Sequence, residues 1–289
     1  MTHLRAAFAR AARPALRSGL LGGCVMAGLA VPAAADGTLT AKYALSLGGI
    51  EIGRANLVVQ ATDSNFEAAG TGRVSGIARA LSSGKGAAAA RGPMTGQRPT
   101  PSVFAVNTEA DGKTESIRMT FAGTTVKELD LEPPPKPLPD RVELTDAHKT
   151  NIIDPLTGAF VQVPPGKDMV SEAACARSIP VFDGRQRFDV TLTYLRTEDV
   201  KAEKGYDGPA VVCRVGYAPV AGHRPTRSTV KYMQANKEMY VWLVPMAGTR
   251  LMAPFKVSVA TMIGTAVLEA TSFDTAETAK TVPVNAPKR

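Results

Sequence analysis

A mostly β, antiparallel fold with one or two short helices is predicted by three features of this sequence. Apolar and polar residues alternate with period two along much of the chain, turn-forming pairs separate the alternating runs, and few stretches carry helical spacing. The first run is Tyr43, Leu45 and Leu47 alternating with Ala44 and Ser46, after which Gly48-Gly49 turns the chain into residues 50–59, a hairpin signature. Residues 103–107 and the alternating Ile117, Met119 and Phe121 make a second antiparallel pair, with Asp111-Gly112 placed for a tight turn between them. In the second half Phe188, Val190, Leu192 and Tyr194 alternate with polar partners. Residues 210–217, 229–233 and 239–244 extend the series, as do residues 256–273 with a turn near Gly264.

Two short helices fit the remaining pattern. Residues 74–81 have spaced apolar side chains without strong caps. Asp154-Pro155 joins an N-cap acid to a proline at the first helical position and leads into residues 156–161. Between them Pro133, Pro134, Pro135, Pro137 and Pro139 remove amide donors, so residues 132–140 read as a stiff, extended connector within one β domain spanning 36–275. Residues 276–289 are low in large apolar side chains and read as a disordered tail.

The N-terminus supplies an address. Arg5, Arg10, Arg13 and Arg17 precede an apolar run from Ser18 to Val31, and Ala33 and Ala35 fit an A-x-A cleavage site. Residues 1–35 therefore read as a secretory signal peptide, and the working chain as a periplasmic protein starting at Asp36. Leu21-Gly22-Gly23-Cys24 only loosely matches a lipoprotein box, because the apolar stretch before Cys24 is too short. The whole segment also falls short of the ~20 strongly apolar residues of a membrane-spanning helix. Removing the leader's four arginines takes the formal net charge from +8 to +4, a balance that speaks against nucleic acid and allows a mild preference for anionic headgroups.

Cys24 leaves with the leader, so Cys175 and Cys213 remain. They are not in C-x-x-C spacing and no histidine or cysteine cluster surrounds them, which favours a structural disulfide over a redox or metal role. Gly70-Thr71-Gly72-Arg73-Val74-Ser75-Gly76 misses the dinucleotide-binding spacing by one residue and no βαβ unit follows, and no EF-hand spacing occurs. No cofactor or metal is expected. No G-x-S-x-G, H-E-x-x-H or S-x-x-K pattern occurs either, so no catalytic residues are assigned. His223, in the turn-like Gly222-His223-Arg224-Pro225, reads as a loop brace acting through its ring nitrogens; His148 sits in a polar stretch and reads as exposed. Asp183-Gly184 reads as a hairpin turn that leaves Arg185 and Arg187 on one face of the outgoing strand. Arg185, Arg187, His223 and Arg224 are thus the candidate contacts for a ligand or anion.

Four segments in order carry a resemblance: residues 43–59 (YALSLGGIEIGRANLVV), Asp154-Pro155-Leu156-Thr157, Cys175 with residues 179–187 (IPVFDGRQR), and Cys213 with residues 221–225 (AGHRP). The chain resembles the bacterial envelope proteins grouped as DUF3108, and the resemblance covers nearly all of it after the leader. It implies an exported protein with no established catalytic role. It also implies a curved antiparallel sheet, a half-barrel or β-spiral similar to those of the lipoprotein carriers LolA and LolB. The expected function is non-catalytic binding of a lipid, a lipoprotein or another envelope component in the concave face. Met94, Met233, Met239, Met246, Met252 and Met262 are candidates for an adaptable lining there, although each taken singly reads first as ordinary core. The alternative is a structural or protein-interaction factor for envelope integrity that holds no small ligand.

Overall fold

The computed structural model of the chain describes residues 36–80 and 83–278; the expected leader with Cys24, and residues 279–289, lie outside the described residues. Alternation builds the first strand, β1 (Asp36–Leu47), in which Leu39, Ala41 and Tyr43 are buried while Thr40 and Lys42 are exposed. A meander continues through β2 (Ile50–Ala61), β3 (Asn65–Val74), β4 (Lys85–Thr95), the short β5 (Arg98–Pro99), β6 (Val103–Ala110), β7 (Lys113–Ala122) and β8 (Thr125–Glu132). Asp111 and Gly112 both take positive φ, 52° and 75°, and make the two-residue turn between β6 and β7 that their sequence predicts.

The second half comprises β9 (Val161–Gln162), β10 (Arg177–Phe182), β11 (Arg187–Lys201), β12 (Lys204–Gly205), β13 (Asp207–Ala221), β14 (Met239–Pro245), β15 (Leu251–Thr261) and β16 (Gly264–Thr278). The sixteen strands belong to one sheet, thirteen of them in the order β10-β11-β13-β14-β15-β16-β1-β2-β3-β4-β6-β7-β8, with the short β5, β9 and β12 paired off this path to β4, β15 and β16. Its neighbours along that path are antiparallel, as the alternation predicts. The last strand closes on the first, Leu45 opposite Leu268 and Asp36 opposite Thr278. That pairing carries β16 three residues beyond the boundary expected at 275, because β1 supplies it with a partner.

The sheet curls without closing, since β10 and β8 remain its edges. Residues 151–153 suture them at one end: Ile152 N donates to Thr124 O at 3.0 Å, Ile153 N to Pro180 O at 2.9 Å, and Phe182 N to Ile153 O at 3.0 Å. Ile152 and Phe182 are buried there with Phe104 and Met119. A Cβ on Gly184, in the turn between β10 and β11, would stand 2.5 Å from Ile117 Cγ2, so this turn rests directly on β7.

Two helical expectations and one strand are corrected. Helix α1 (Pro155–Gly158) starts as expected, with Asp154 Oδ1 accepting from Leu156 N at 3.0 Å and Thr157 N at 2.9 Å. It stops early because Val161 is drawn into β9, opposite Met252. Val74 closes β3, and Gly76–Ala80 forms a single 3₁₀ turn after Gly76 takes φ +62°. Residues 229–233, expected as a strand, lie in α2 (Ser228–Ala235): β13 and β14 pair directly, Val211 opposite Leu243, leaving no slot between them for another strand. No residue of α2 is buried, so no sheet face competes for its apolar side chains.

The largest core lies under β16, β1, β2 and β3, where Phe66 meets Phe160 edge-on at 5.3 Å and Phe255 meets Phe273 at 5.7 Å. Met246 and Met252 are fully buried and Met239 nearly so. Met94 packs on the large core and Met262 is exposed, so these methionines are not gathered into a lining, and core, the first reading of each, holds for Met94, Met239, Met246 and Met252.

Candidate functional site

The inner face changes character along its length. At one end Val59, Ala61, Phe66 and Ala68 are buried beneath the core. Towards the other end the facing residues shrink: register aligns Ala55 with Gly72 and Gly72 with Gly86, and Leu57 with Gly70 and Gly70 with Ala88. Five of these six positions hold a methyl group or a hydrogen, so the strands enclose space they do not fill. The result is a trough of about 590 Å3, inside the ~300–1,000 Å3 range of ligand pockets. Tyr43, Leu45, Val74, Val106 and Leu268 form its walls, and Leu156, Ala159 and Phe160 from the α1 segment close one end.

The tyrosine hydroxyl in this wall is already satisfied. Tyr43 Oη donates to Pro254 O at 2.8 Å, and burial pushes its hydroxyl far above the ordinary tyrosine value, so the phenol stays neutral. Among the described residues lining the trough there is no histidine, cysteine, aspartate or glutamate; its charged members are Arg54, Arg73 and Lys85. These three face one another across β2, β3 and β4 on the outward-pointing positions. Arg54 is paired with Glu51 at 2.7 Å and Lys85 with Glu109 at 2.9 Å.

A second hollow, of about 630 Å3, lies between the β4–β5 turn, residues 151–153 and β10. It contains Arg98 and Arg177 and no carboxylate among its described lining. Arg177 is fixed by Nη1 donating to Gln162 O at 2.8 Å and Nη2 to Ala173 O at 2.7 Å. Burial, and then the Arg98 charge, hold its pKa below the ordinary arginine value.

The four residues singled out in the sequence are brought together elsewhere, and none lines the trough. Arg187 stands opposite Ala221, and a Cβ on Gly222 would lie 2.1 Å from Arg185 O. Each guanidinium meets a carboxylate: Arg185 with Glu115 at 3.4 Å, Arg187 with Asp189 at 2.8 Å, and Arg224 Nε with Asp140 Oδ1 at 2.7 Å. His223 braces its loop through the backbone, its carbonyl accepting from Val142 N at 2.9 Å, while the buried ring Nδ1 has no partner among the described residues. Together these contacts pin the proline connector to the end of β13. Asp183 caps its own turn, Oδ1 accepting from Arg185 N at 2.7 Å and Gln186 N at 2.6 Å.

Cys175 and Cys213 form the expected disulfide, with Cα atoms 5.6 Å apart and both residues fully buried. The bond ties the segment before β10 to β13 within the second core. No helix among the described residues is long and apolar enough to cross a membrane.

A family model described as a protein of unknown function, DUF3108, matches residues 42–271. Among solved structures, the crystal structure of a beta-barrel-like protein of domain of unknown function DUF1849 from Brucella abortus is similar over 85% of this chain and 99% of that chain. The identity is 10% and the TM-score 0.46. No curated protein matches the chain.

Proposed function

The chain belongs to the DUF3108 family of proteins of unknown function, and we propose that this member is a periplasmic, non-catalytic protein that binds the apolar part of a lipid or lipoprotein in its trough. The observation that carries the reading is the unfilled inner face: the glycines and alanines of β2, β3 and β4 leave about 590 Å3 of apolar space open. Exposed apolar surface is unfavourable by ~25 cal/mol per Å2, so an acyl chain laid there gains what the protein's own side chains forgo. Among its described residues the lining holds no histidine, cysteine or carboxylate to activate a hydroxyl or amine against such a chain, which supports binding without chemistry. The signal-like N-terminus and the buried disulfide support an oxidising, exported setting.

The alternative, an envelope-integrity factor acting through strand edges, has less behind it. The edge strand β8 carries Lys127, Glu128, Asp130 and Glu132, charges that oppose edge-to-edge pairing, and the outer side of β10 is already bridged by Ile153.

Titration with a fluorescent fatty acid tests the proposal. The native protein should bind it saturably, and Ala88→Trp, which projects an indole into the trough, should weaken binding about tenfold or more at unchanged melting temperature. Equal affinity in the two proteins, or no saturable binding to either, would sink it.

A further inference from the structure

Ile263, Met262 and Ile50 are the three most exposed large apolar residues among the described residues, at 80%, 58% and 53%. They share one place. Met262 and Ile263 form the turn between β15 and β16, and Ile50 follows the Gly48-Gly49 turn between β1 and β2. The two turns are neighbours, because Gly48 N donates to Thr265 O at 2.9 Å and Leu47 stands opposite Ala266. Nor is the first turn loose: Thr261 Oγ1 donates to Gly264 O and accepts from Ile263 N, which holds the two apolar side chains outward. A single exposed apolar side chain needs no explanation, but three at the apex of adjacent hairpins form a small apolar tip.

The tip stands at the open end of the trough, whose lining includes Leu45, Ile52 and Gly53 from the same two strands. Arginines lie on its β2–β3 side, where Glu51 next to Ile50 is already taken by Arg54 and Ser75. The 3₁₀ turn bearing Arg79 packs on the start of β2, with Ser75 N donating to Ile52 O at 3.0 Å. Arg73 lies opposite Arg54 one strand further on. Arg54 faces Glu51 and, at longer range, Glu203, whereas Arg73 and Arg79 have no carboxylate partner among the described residues.

We propose that this end of the molecule docks on the surface of an anionic phospholipid bilayer, with Ile50, Met262 and Ile263 entering the headgroup–acyl boundary and Arg73 and Arg79 meeting lipid phosphates. Apolar side chains flanked by cations are the combination that holds a protein at that boundary. The docking stands on the tip alone; it rests on the trough reading only for its purpose, which is to set the trough's mouth against the source of its ligand.

Co-sedimentation with phosphatidylcholine vesicles, with and without phosphatidylglycerol, tests it. The native protein should pellet with the phosphatidylglycerol vesicles and be released by raised salt. The triple substitution Ile50→Ser, Met262→Ser, Ile263→Ser should lower partitioning about tenfold or more, and Arg73→Gln with Arg79→Gln several-fold. Because all five side chains are exposed, melting temperatures should not change. Absence of binding by the native protein, or binding by the folded triple variant equal to native, would overturn the proposal. Ala88→Trp separates the two readings, since a filled trough should leave vesicle binding intact.

Discussion

Asp140 shows how single residues hold the connector. Its carboxylate accepts from Arg224 Nε and from Thr226 Oγ1, both at 2.7 Å, and these bonds, the Arg224 bond first, hold its pKa below the ordinary aspartate value of 3.8. A carboxyl with a depressed folded-state pKa adds stability that is fully present above 3.8 and lost as pH falls through the lowered value. The stability gap between the native protein and Asp140→Asn, measured by denaturant titration from about pH 6 down to about pH 2, should therefore be positive at the top of the range and close at the bottom. A constant gap would show that the charge is irrelevant to the tie. Asp183 has the opposite sign, since burial raises its pKa despite two backbone donors. The local part of this chemistry was legible: Asp183-Gly184 announces its turn because its partners lie within three residues. The tie of Arg224 and His223 to Asp140 and Val142 was not, because sequence spacing says nothing about which distant loop will lie alongside.

At the scale of elements, residues 151–153 stand in for the missing strand pair between β8 and β10. Ile152 is almost fully buried among Phe104, Met119 and Phe182, so Ile152→Ala should destabilise the protein by about 2–5 kcal/mol. Hydrogen exchange should accelerate first at the β8 and β10 amides rather than in β16 or β1. Uniform acceleration would mean that the suture has no local role. The sequence announced the strands whose alternating positions hold Tyr, Leu, Phe or Val, including β1, β2, β7 and β11. It hid β3 and β4, whose inward residues past Phe66 are mainly alanine and glycine, and these are the strands that leave the trough open. What made the site also erased its pattern. The same logic explains α2, where Val230 and Tyr232 imitate a strand's period but no neighbouring strand has a free edge to receive them.

For the whole molecule, the pairing of β16 with β1 joins the two halves into one curved surface, and the change from filled to unfilled inner face along that surface sets the direction in which a ligand would enter. Composition and alternation foretold the fold class, and the ordered family segments foretold the curvature. The trough itself needed the register, because only cross-strand alignment places Ala55, Gly72 and Gly86 in one row. Of the residues expected as anion contacts, Arg185, Arg187 and Arg224 carry charges that are already paired within the protein, while His223 holds its loop through its backbone carbonyl. Native mass spectrometry with organic extraction, on protein purified gently from the organism that makes it, tests the central claim most directly. A reproducible bound lipid on the native protein and none on Ala88→Trp is the predicted result, whereas a native protein of clean apo mass would contradict the trough as a binding site.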